Sequence, residues 1–408
     1  MVPELKATVL LKIIIACSFT ARILFVLLFI NINEINYYEY GRIAENLHEG
    51  KGDSLQHFIY ENTNDPNPST NIYKSAYMPP GYVYFLYPFF YISNTILRYI
   101  LILISQTMIS CVLILFIYNF TKRYFSEWSA LVAAAITGFL PEFIFASTQI
   151  QVTLLYQTGI ILLLFLLYKA VDEPNRISTF IFIGITFGII VLLRFEVILF
   201  SIIIAVFFAQ KKKIRESLII ISIICLFILP WQIRNYVVFE KVIPLTTSSG
   251  LNFYRGHNPY SIGFWGDDKL LTELQSMRKY KDYEVRMNEV YWKSALSSIK
   301  ENPEEEIIYP FTKLFDLWIF NPSDTRTNNF LYLFPWFLIL LFSMYGLIIS
   351  FSWKDHKFSY LFLIFFNIVT VIFFALPRYQ TMMKIALIPF AAFGLEKIIR
   401  KLKKEISK

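Results

Sequence analysis

The chain reads as an all-α polytopic membrane protein: a bundle of about ten to twelve transmembrane helices with two large polar loops. Three observations predict this class. Of its 408 residues, 56% are hydrophobic and 17% charged, with a mean hydropathy of +0.51, whereas soluble domains carry about a quarter charged residues. Apolar runs of spanning length recur along the whole chain. Polar sequence is concentrated in two stretches, 31–78 and 234–329, and the other links are short. Residues 1–408 therefore form one membrane-embedded domain with two loops of substance.

The first apolar run, Val9 to Ile30, is long enough to span and lacks a small-residue cleavage site, so it reads as an anchor and not a cleaved leader. Loop 31–78 follows. In it Tyr37, Tyr40, Ile43, Ala44 and Leu47 share one helical face, and Arg42, Glu45, Asn46 and Glu49 the other. Gly50 and Gly52 stop that helix, which is expected to lie in the interface plane. Met78 to Ile92 opens with Pro79 and Pro80 and is short enough to be re-entrant. Candidate spans are then Leu97–Phe120, Ala130–Ala146, Val152–Leu167, Ile177–Leu193, Phe195–Phe208 and Leu218–Ile233. Loop 234–329 opens irregular and rich in Gly and Tyr. Helical patterns follow over Leu270–Ile299 and Glu304–Trp318, interrupted at Asn302-Pro303. The last spans are Phe330–Phe351, Phe358–Leu376 and Met382–Leu395.

The net charge of +8 comes from short basic loops and the tail, which is how membrane proteins distribute it and not a nucleic-acid footprint. Lys122-Arg123, Lys211 to Arg215, Lys354 to Lys357 and Lys397 to Lys408 are expected in the cytoplasm with both termini, and the two large loops together on the outer face. Cys17, Cys111 and Cys225 lie in apolar runs and read as small core residues, not a disulfide or zinc framework. There is no Walker loop, no GxGxxG opening a helix, no HExxH and no CxxC.

Charged side chains within or beside apolar runs are costly, and so informative. Arg22 lies in the first span. Arg194 and Glu196 flank Phe195, either as a plain interfacial turn or as part of a cavity shared with the loops. In the first loop Glu34, Asn36, Glu39 and Asp53, with Lys74 nearby, suit a general base or a divalent cation, or simply a solvated loop. Arg234, Arg255, His257 and Arg378 fall on the same expected face, where an arginine fork suits a lipid-linked phosphate or snorkels to headgroups.

Several segments resemble the GT-C membrane glycosyltransferases, in particular bacterial relatives of the dolichyl-phosphate-mannose protein mannosyltransferases and the lipid A aminoarabinose transferase. They are EYGRIAENLHEGKGDS with YMPPGY, RYFSEWSALVAAAITGFLPEFIFAS, PWQIRNYVVFEKVIPLTTSSGLNFYRGHNPYSIG, ALSSIKENPEEEIIYPFTKLFDLWIF and LPRYQTMMKIALIPFAAFGLEKI, in that order. The resemblance implies transfer of a sugar from a polyprenyl-phosphate donor to an envelope glycan, lipid or protein on the outer face of a bacterial cytoplasmic membrane. It implies a base or metal site at Glu34, Asn36 or Glu39, with a divalent ion on Glu34 and Asn36. Donor phosphate would lie at Arg255, Arg234, Arg378 and Lys74, and substrate at Tyr40, Tyr82, His257 and Asn258. Two departures stand out: the family's loop aspartate is Asn36 here, followed by Tyr37, and no carboxylate stands near Val152. An asparagine cannot take a proton. Glu34 or Glu39 then substitutes, Glu34 being the first choice. Otherwise the donor chemistry differs, or the chain binds or transports polyprenyl-linked glycan without catalysis.

Overall fold

The computed structural model describes residues 4–32, 35–56, 72–260, 262–263, 265–321 and 329–407. Helix α1 (Glu4–Phe29) leads to the short α2 (Tyr38–His48) and a two-stranded antiparallel hairpin, β1 (Ser54–Gln56) with β2 (Ile72–Lys74), in which Leu55 pairs with Tyr73. Neither strand is legible in the sequence, because three residues each are too few to show an alternation. Helix α3 (Pro80–Leu86) continues into a 3-10 turn, Tyr87–Tyr91. Its 7 residues plus the 5 of the turn reach about 20 Å, well short of the roughly 30 Å hydrocarbon core.

The membrane bundle begins with α4 (Thr95–Tyr124), whose N-cap Asn94 accepts a hydrogen bond from the Leu97 amide at 2.9 Å. Helices α5 (Glu127–Phe139) and α6 (Pro141–Thr148) form one apolar unit bent by 52°. Pro141 has no amide hydrogen to continue the ladder, so carbonyls at the end of α5 are left free. Gly138 O is served instead from α1, by Ser18 Oγ at 3.1 Å and Arg22 Nη1 at 2.8 Å. The charge inside the first span is thus a helix cap, 1% exposed.

Helices α7 (Thr153–Asp172), α8 (Ile177–Leu193), α9 (Val197–Gln210) and α10 (Ile214–Phe239) follow. The second loop carries α11 (Ser249–Gly256), α12 (Asp268–Ser276), α13 (Tyr283–Glu301) and α14 (Pro303–Trp318). The pattern over Leu270–Ile299 breaks between α12 and α13, and α11 appears where the sequence looked irregular. Asn288 of α13 explains α11: its Oδ1 accepts from the Gly250 amide at 2.6 Å and Ser249 Oγ at 3.1 Å, a tertiary tie that local pattern does not carry. The bundle closes with α15 (Phe330–Ile349), α16 (Trp353–Ile372) and α17 (Pro377–Ile406).

Among the described residues six helices are long and apolar enough to cross a membrane, or seven with the bent α5–α6 pair as one span. The sequence estimate of about ten to twelve also counts shorter runs. Helices α8 and α9 have only 17 and 14 residues, and about the last third of α17 is a basic extension. The core lies among α7, α8, α9, α16 and α17, where Phe200 packs between Phe187, Phe362 and Phe365 with ring centroids 5.4 to 5.8 Å apart. Leu27, Leu28 and Phe29 at the end of α1 are more than two-thirds exposed, as lipid-facing side chains are.

Candidate active site

Four parts of the chain meet at one recess. From the first loop come Glu39 and Tyr40, in the opening turn of α2, and Tyr77. The α8–α9 turn brings Arg194 and Glu196, α11 brings Arg255, and the start of α17 brings Arg378 and Tyr379. Just before α2, Asn36 Oδ1 accepts from the Tyr38 amide at 2.9 Å, and Tyr38 takes a left-handed φ of 48°. Helix α8 ends at Arg194, whose amide donates to Ile190 O. Arg194 forms an ion pair with Glu196, and its guanidinium lies 4.9 Å from the Tyr379 ring centroid and 5.9 Å from that of Tyr156.

Arg255 is held between two aromatic faces, Trp265 at 4.3 Å and Phe374 at 4.4 Å, and its Nε donates to Gly263 O at 3.0 Å. The next residue makes this possible. A Cβ at position 256 would lie 1.8 Å from Phe373 O, so only glycine lets α11 rest on the end of α16. Arg378 is exposed, 5.6 Å from the Tyr379 ring, and makes no hydrogen bond or ion pair among the described residues. Glu39, half-buried, likewise makes none.

A cavity of about 210 Å³ is lined by three of these groups, Arg194, Glu196 and Tyr379. One wall is apolar, with Phe365, Phe366, Val369 and Phe373 of α16 opposite Ile198 and Leu199 of α9. Its polar end holds Arg194, Glu196, Tyr379, Thr246 and Asn252. Burial pushes the Tyr40 hydroxyl up to about 12, against the pull of Arg194 and Arg378. Burial also raises Tyr77, with Glu39 and Glu284 adding to it and Arg255 opposing. Arg255 is lowered by burial, and the charges of Tyr379, Arg378 and Tyr77 reach it. Three guanidiniums (Arg194, Arg255, Arg378) against two carboxylates (Glu39, Glu196) leave one positive charge, which suits an anion.

Of the residues expected from sequence, Glu39, Tyr40, Arg255 and Arg378 come together here, joined by the Arg194–Glu196 turn. Glu34 lies outside the described residues. Several other expectations need correcting. Arg234 was expected to hold phosphate, but its donors are spent on Ser75 O and Asp53 O, each at 2.8 Å, and on Asn235 Oδ1 at 2.9 Å, with the Asp53 carboxylate 3.5 Å from Nε. It ties the first loop to α10. Lys74 donates to Lys51 O at 2.6 Å across the hairpin. Tyr82 is 0% exposed and its hydroxyl donates to Gln106 at 2.6 Å, so it backs the Tyr40 ring and offers substrate no surface. Asn258 is buried, with Oδ1 accepting from the Tyr260 amide at 3.0 Å. His257 bridges Glu306 (2.6 Å) and Ile372 O (2.9 Å), fastening α14 to the end of α16.

Tyr77, Tyr156, Tyr379, Lys384 and Glu284 were missed. Lys384 carried a signal, a cation within an apolar run, and the structure buries it against Glu142 with Tyr332 and Trp336 rings 4.8 and 4.5 Å away. Glu284 carried one too: it shares a helical face with Met287, Tyr291 and Ala295, all buried. The tyrosines carried none, since 26 of them are scattered along the chain.

Of the two ligands expected for a divalent ion, Glu34 and Asn36, only Asn36 is among the described residues. No three His, Cys, Asp or Glu side chains are grouped for a metal among the described residues, and Asn36 Oδ1 already accepts a backbone hydrogen bond.

Residues 77–233 match the family described as dolichyl-phosphate-mannose-protein mannosyltransferase. No curated protein matches the chain. Solved structures of the Archaeoglobus fulgidus oligosaccharyltransferase are similar. Its apo form aligns with a TM-score of 0.58 at 14% identity, over 99% of this chain and 52% of that one. Its complex with an inhibitory peptide and a dolichol-phosphate aligns at 0.56 and 15% identity, over 98% and 51%. Its complex with Zn and sulfate aligns at 0.52 and 14% identity, over 95% and 49%. The present chain thus spans about half the length of those proteins, and at such identities the likeness is one of fold. The chain is a multi-pass membrane protein whose fold is similar to that of the archaeal oligosaccharyltransferase structures.

Proposed function

We propose that the protein is a glycosyltransferase that moves a sugar from a polyprenyl-phosphate donor to an envelope acceptor (glycan, lipid or protein) on the outer face of a bacterial cytoplasmic membrane. The observation that carries this reading is the cavity of about 210 Å³, apolar along α9 and α16, with Arg255 and Arg378 beside its lining residues Phe374 and Tyr379. That shape and charge suit an isoprenoid chain with a phosphate head. The matched family supports such a donor, as does the dolichol-phosphate present in one structure of the archaeal neighbour.

In this reading the isoprenoid lies along Phe365, Phe366, Val369 and Phe373, and Arg255 and Arg378 take the phosphate. Arg255 suits the task because its aromatic slot holds the guanidinium plane fixed. The acceptor oxygen attacks the anomeric carbon and gives its proton to Glu39. The bond from that carbon to the phosphate oxygen breaks, and polyprenyl phosphate leaves with the electron pair, its growing charge facing the arginines. No step is routed through a metal.

The test is reconstitution in nanodiscs with an undecaprenyl-phosphate-linked sugar and an envelope acceptor fraction. Transfer is expected, and Glu39→Gln is expected to slow it at least 100-fold, at the lower edge of what a general base contributes, with binding of undecaprenyl phosphate intact. Binding without transfer in the wild-type protein would instead favour a non-catalytic glycolipid binder or transporter, the reading to which Asn36 in the aspartate's place points. Neither binding nor transfer would sink both.

A further inference from the structure

Glu284, near the start of α13, is 1% exposed and outside the recess. Its carboxylate gathers three donors from two distant segments: Ser75 Oγ at 2.6 Å, the Ala76 amide at 2.8 Å and Thr247 Oγ1 at 2.6 Å. Ala76 O in turn accepts from the Thr247 amide at 3.1 Å, which closes a ring through both loops. Ser75 is held at every polar atom, for its amide donates to Asp53 O at 2.9 Å and its carbonyl accepts from Arg234 at 2.8 Å. A buried carboxylate is costly unless its hydrogen bonds are made, and here they are. Burial still outweighs them and pushes the carboxyl up to about 7.

This node stands directly behind the cavity. The Tyr77 amide donates to Ser75 Oγ at 3.1 Å, so the same carboxylate fixes, through one hydroxyl, the backbone of Tyr77, whose side chain feels the charges of Glu39 and Arg255. On the other side Thr247 follows Leu245 and Thr246, both of which line the cavity. We infer that Glu284 is a positioning residue for the transfer reaction: it locks the end of the first loop to the start of the second, and so sets where the acceptor meets Glu39. The inference rests on the transferase reading. It assigns Glu284 no contact with donor or acceptor.

The experiment compares wild-type protein with Glu284→Gln and Thr247→Val, in nanodiscs, by three measurements. Hydrogen exchange of the Ser75–Tyr77 and Thr247 amides reports the node itself. Binding of undecaprenyl phosphate reports the donor end. The dependence of transfer rate on the amount of envelope fraction reports the acceptor. We expect exchange at least tenfold faster in Glu284→Gln and a half-saturating acceptor level at least tenfold higher. Donor binding and maximal rate should stay within twofold, and Glu284→Asp, which keeps the charge, should recover part of the loss. Unchanged exchange overturns the inference, as does faster exchange with unaltered acceptor dependence. A loss of donor binding in step with lost folded protein marks a merely structural role and overturns it as well. If Glu284→Gln does not fold, Thr247→Val, which removes one donor of three, carries the same measurements. A wild-type protein that neither binds undecaprenyl phosphate nor transfers sugar overturns the transferase reading and the positioning role with it, and the exchange data then still decide whether the node exists.

Discussion

At the scale of single residues, the recess distinguishes groups free to meet a ligand from groups already engaged. Arg234 and Arg255 look alike in sequence, each an arginine in the second loop, yet one is consumed by backbone carbonyls and a carboxylate and the other is stacked without an acidic partner among the described residues. Arg255→Ala is therefore expected to weaken undecaprenyl phosphate binding by about 2–5 kcal/mol, the range for losing one partner of a buried charge pair. Arg255→Lys should recover little, because an ammonium lacks the planar fork and the stacking. Titration of tryptophan fluorescence on nanodiscs measures both. A phosphate affinity equal to wild type in Arg255→Ala would exclude the residue from the donor site. This difference was not legible in the sequence. Residue type and spacing place an arginine in a loop, whereas its partners come from Asp53 and Ser75, more than 150 residues away. The Arg194–Glu196 pair was legible, because charges between two apolar runs stand out.

At the scale of elements, the site depends on short helices resting end-on against long ones. Helix α11 approaches α16 so closely that position 256 has no room for a side chain. Gly256→Ala must push α11 outward, carrying Arg255 away from Phe374 and His257 from Ile372 O. Overpacking of this kind costs about 1–3 kcal/mol and occasionally more. The expected outcome is a lower melting temperature together with weakened donor binding; a variant with both values at the wild-type level would show that the contact is not needed. The long apolar helices were readable from run length and composition, which their interiors share. Helix α11 and the β1–β2 hairpin were not, because they are held by Asn288, Asp53 and Ser75 through contacts distant in sequence. The same reasoning covers α5 and α6. The sequence reads Ala130–Ala146 as one span, and only the fold shows the bend at Pro141 and that Arg22 of α1 caps the carbonyl of Gly138 beside it.

At the scale of the whole molecule, helix lengths bear on where the recess lies. Helices α8 and α9, with 17 and 14 residues, span about 26 and 21 Å, less than the roughly 30 Å hydrocarbon core. In the proposed reading their shared turn, Arg194 to Glu196, lies where a lipid-linked phosphate would meet it. The same lengths bear on topology. If the bent α5–α6 pair counts as one crossing, α8 and α9 cross despite their length, and α3 does not cross, then α1, α4, α5–α6, α7 to α10 and α15 to α17 make ten crossings. An even number puts both chain ends on one side. Lys122, Lys211, Lys354 and the basic tail then share that side, and the second loop lies opposite, as the positive-inside rule requires. Single cysteines at Lys211 and Lys281, in a background with Cys17, Cys111 and Cys225 replaced by alanine, test this with an impermeant maleimide. The cysteine at 281 is expected to label in intact cells and that at 211 only after permeabilisation. Labelling of both in intact cells would mean that α10 does not cross, and would remove the argument that places Glu39, Arg255 and Arg378 together at the outer surface.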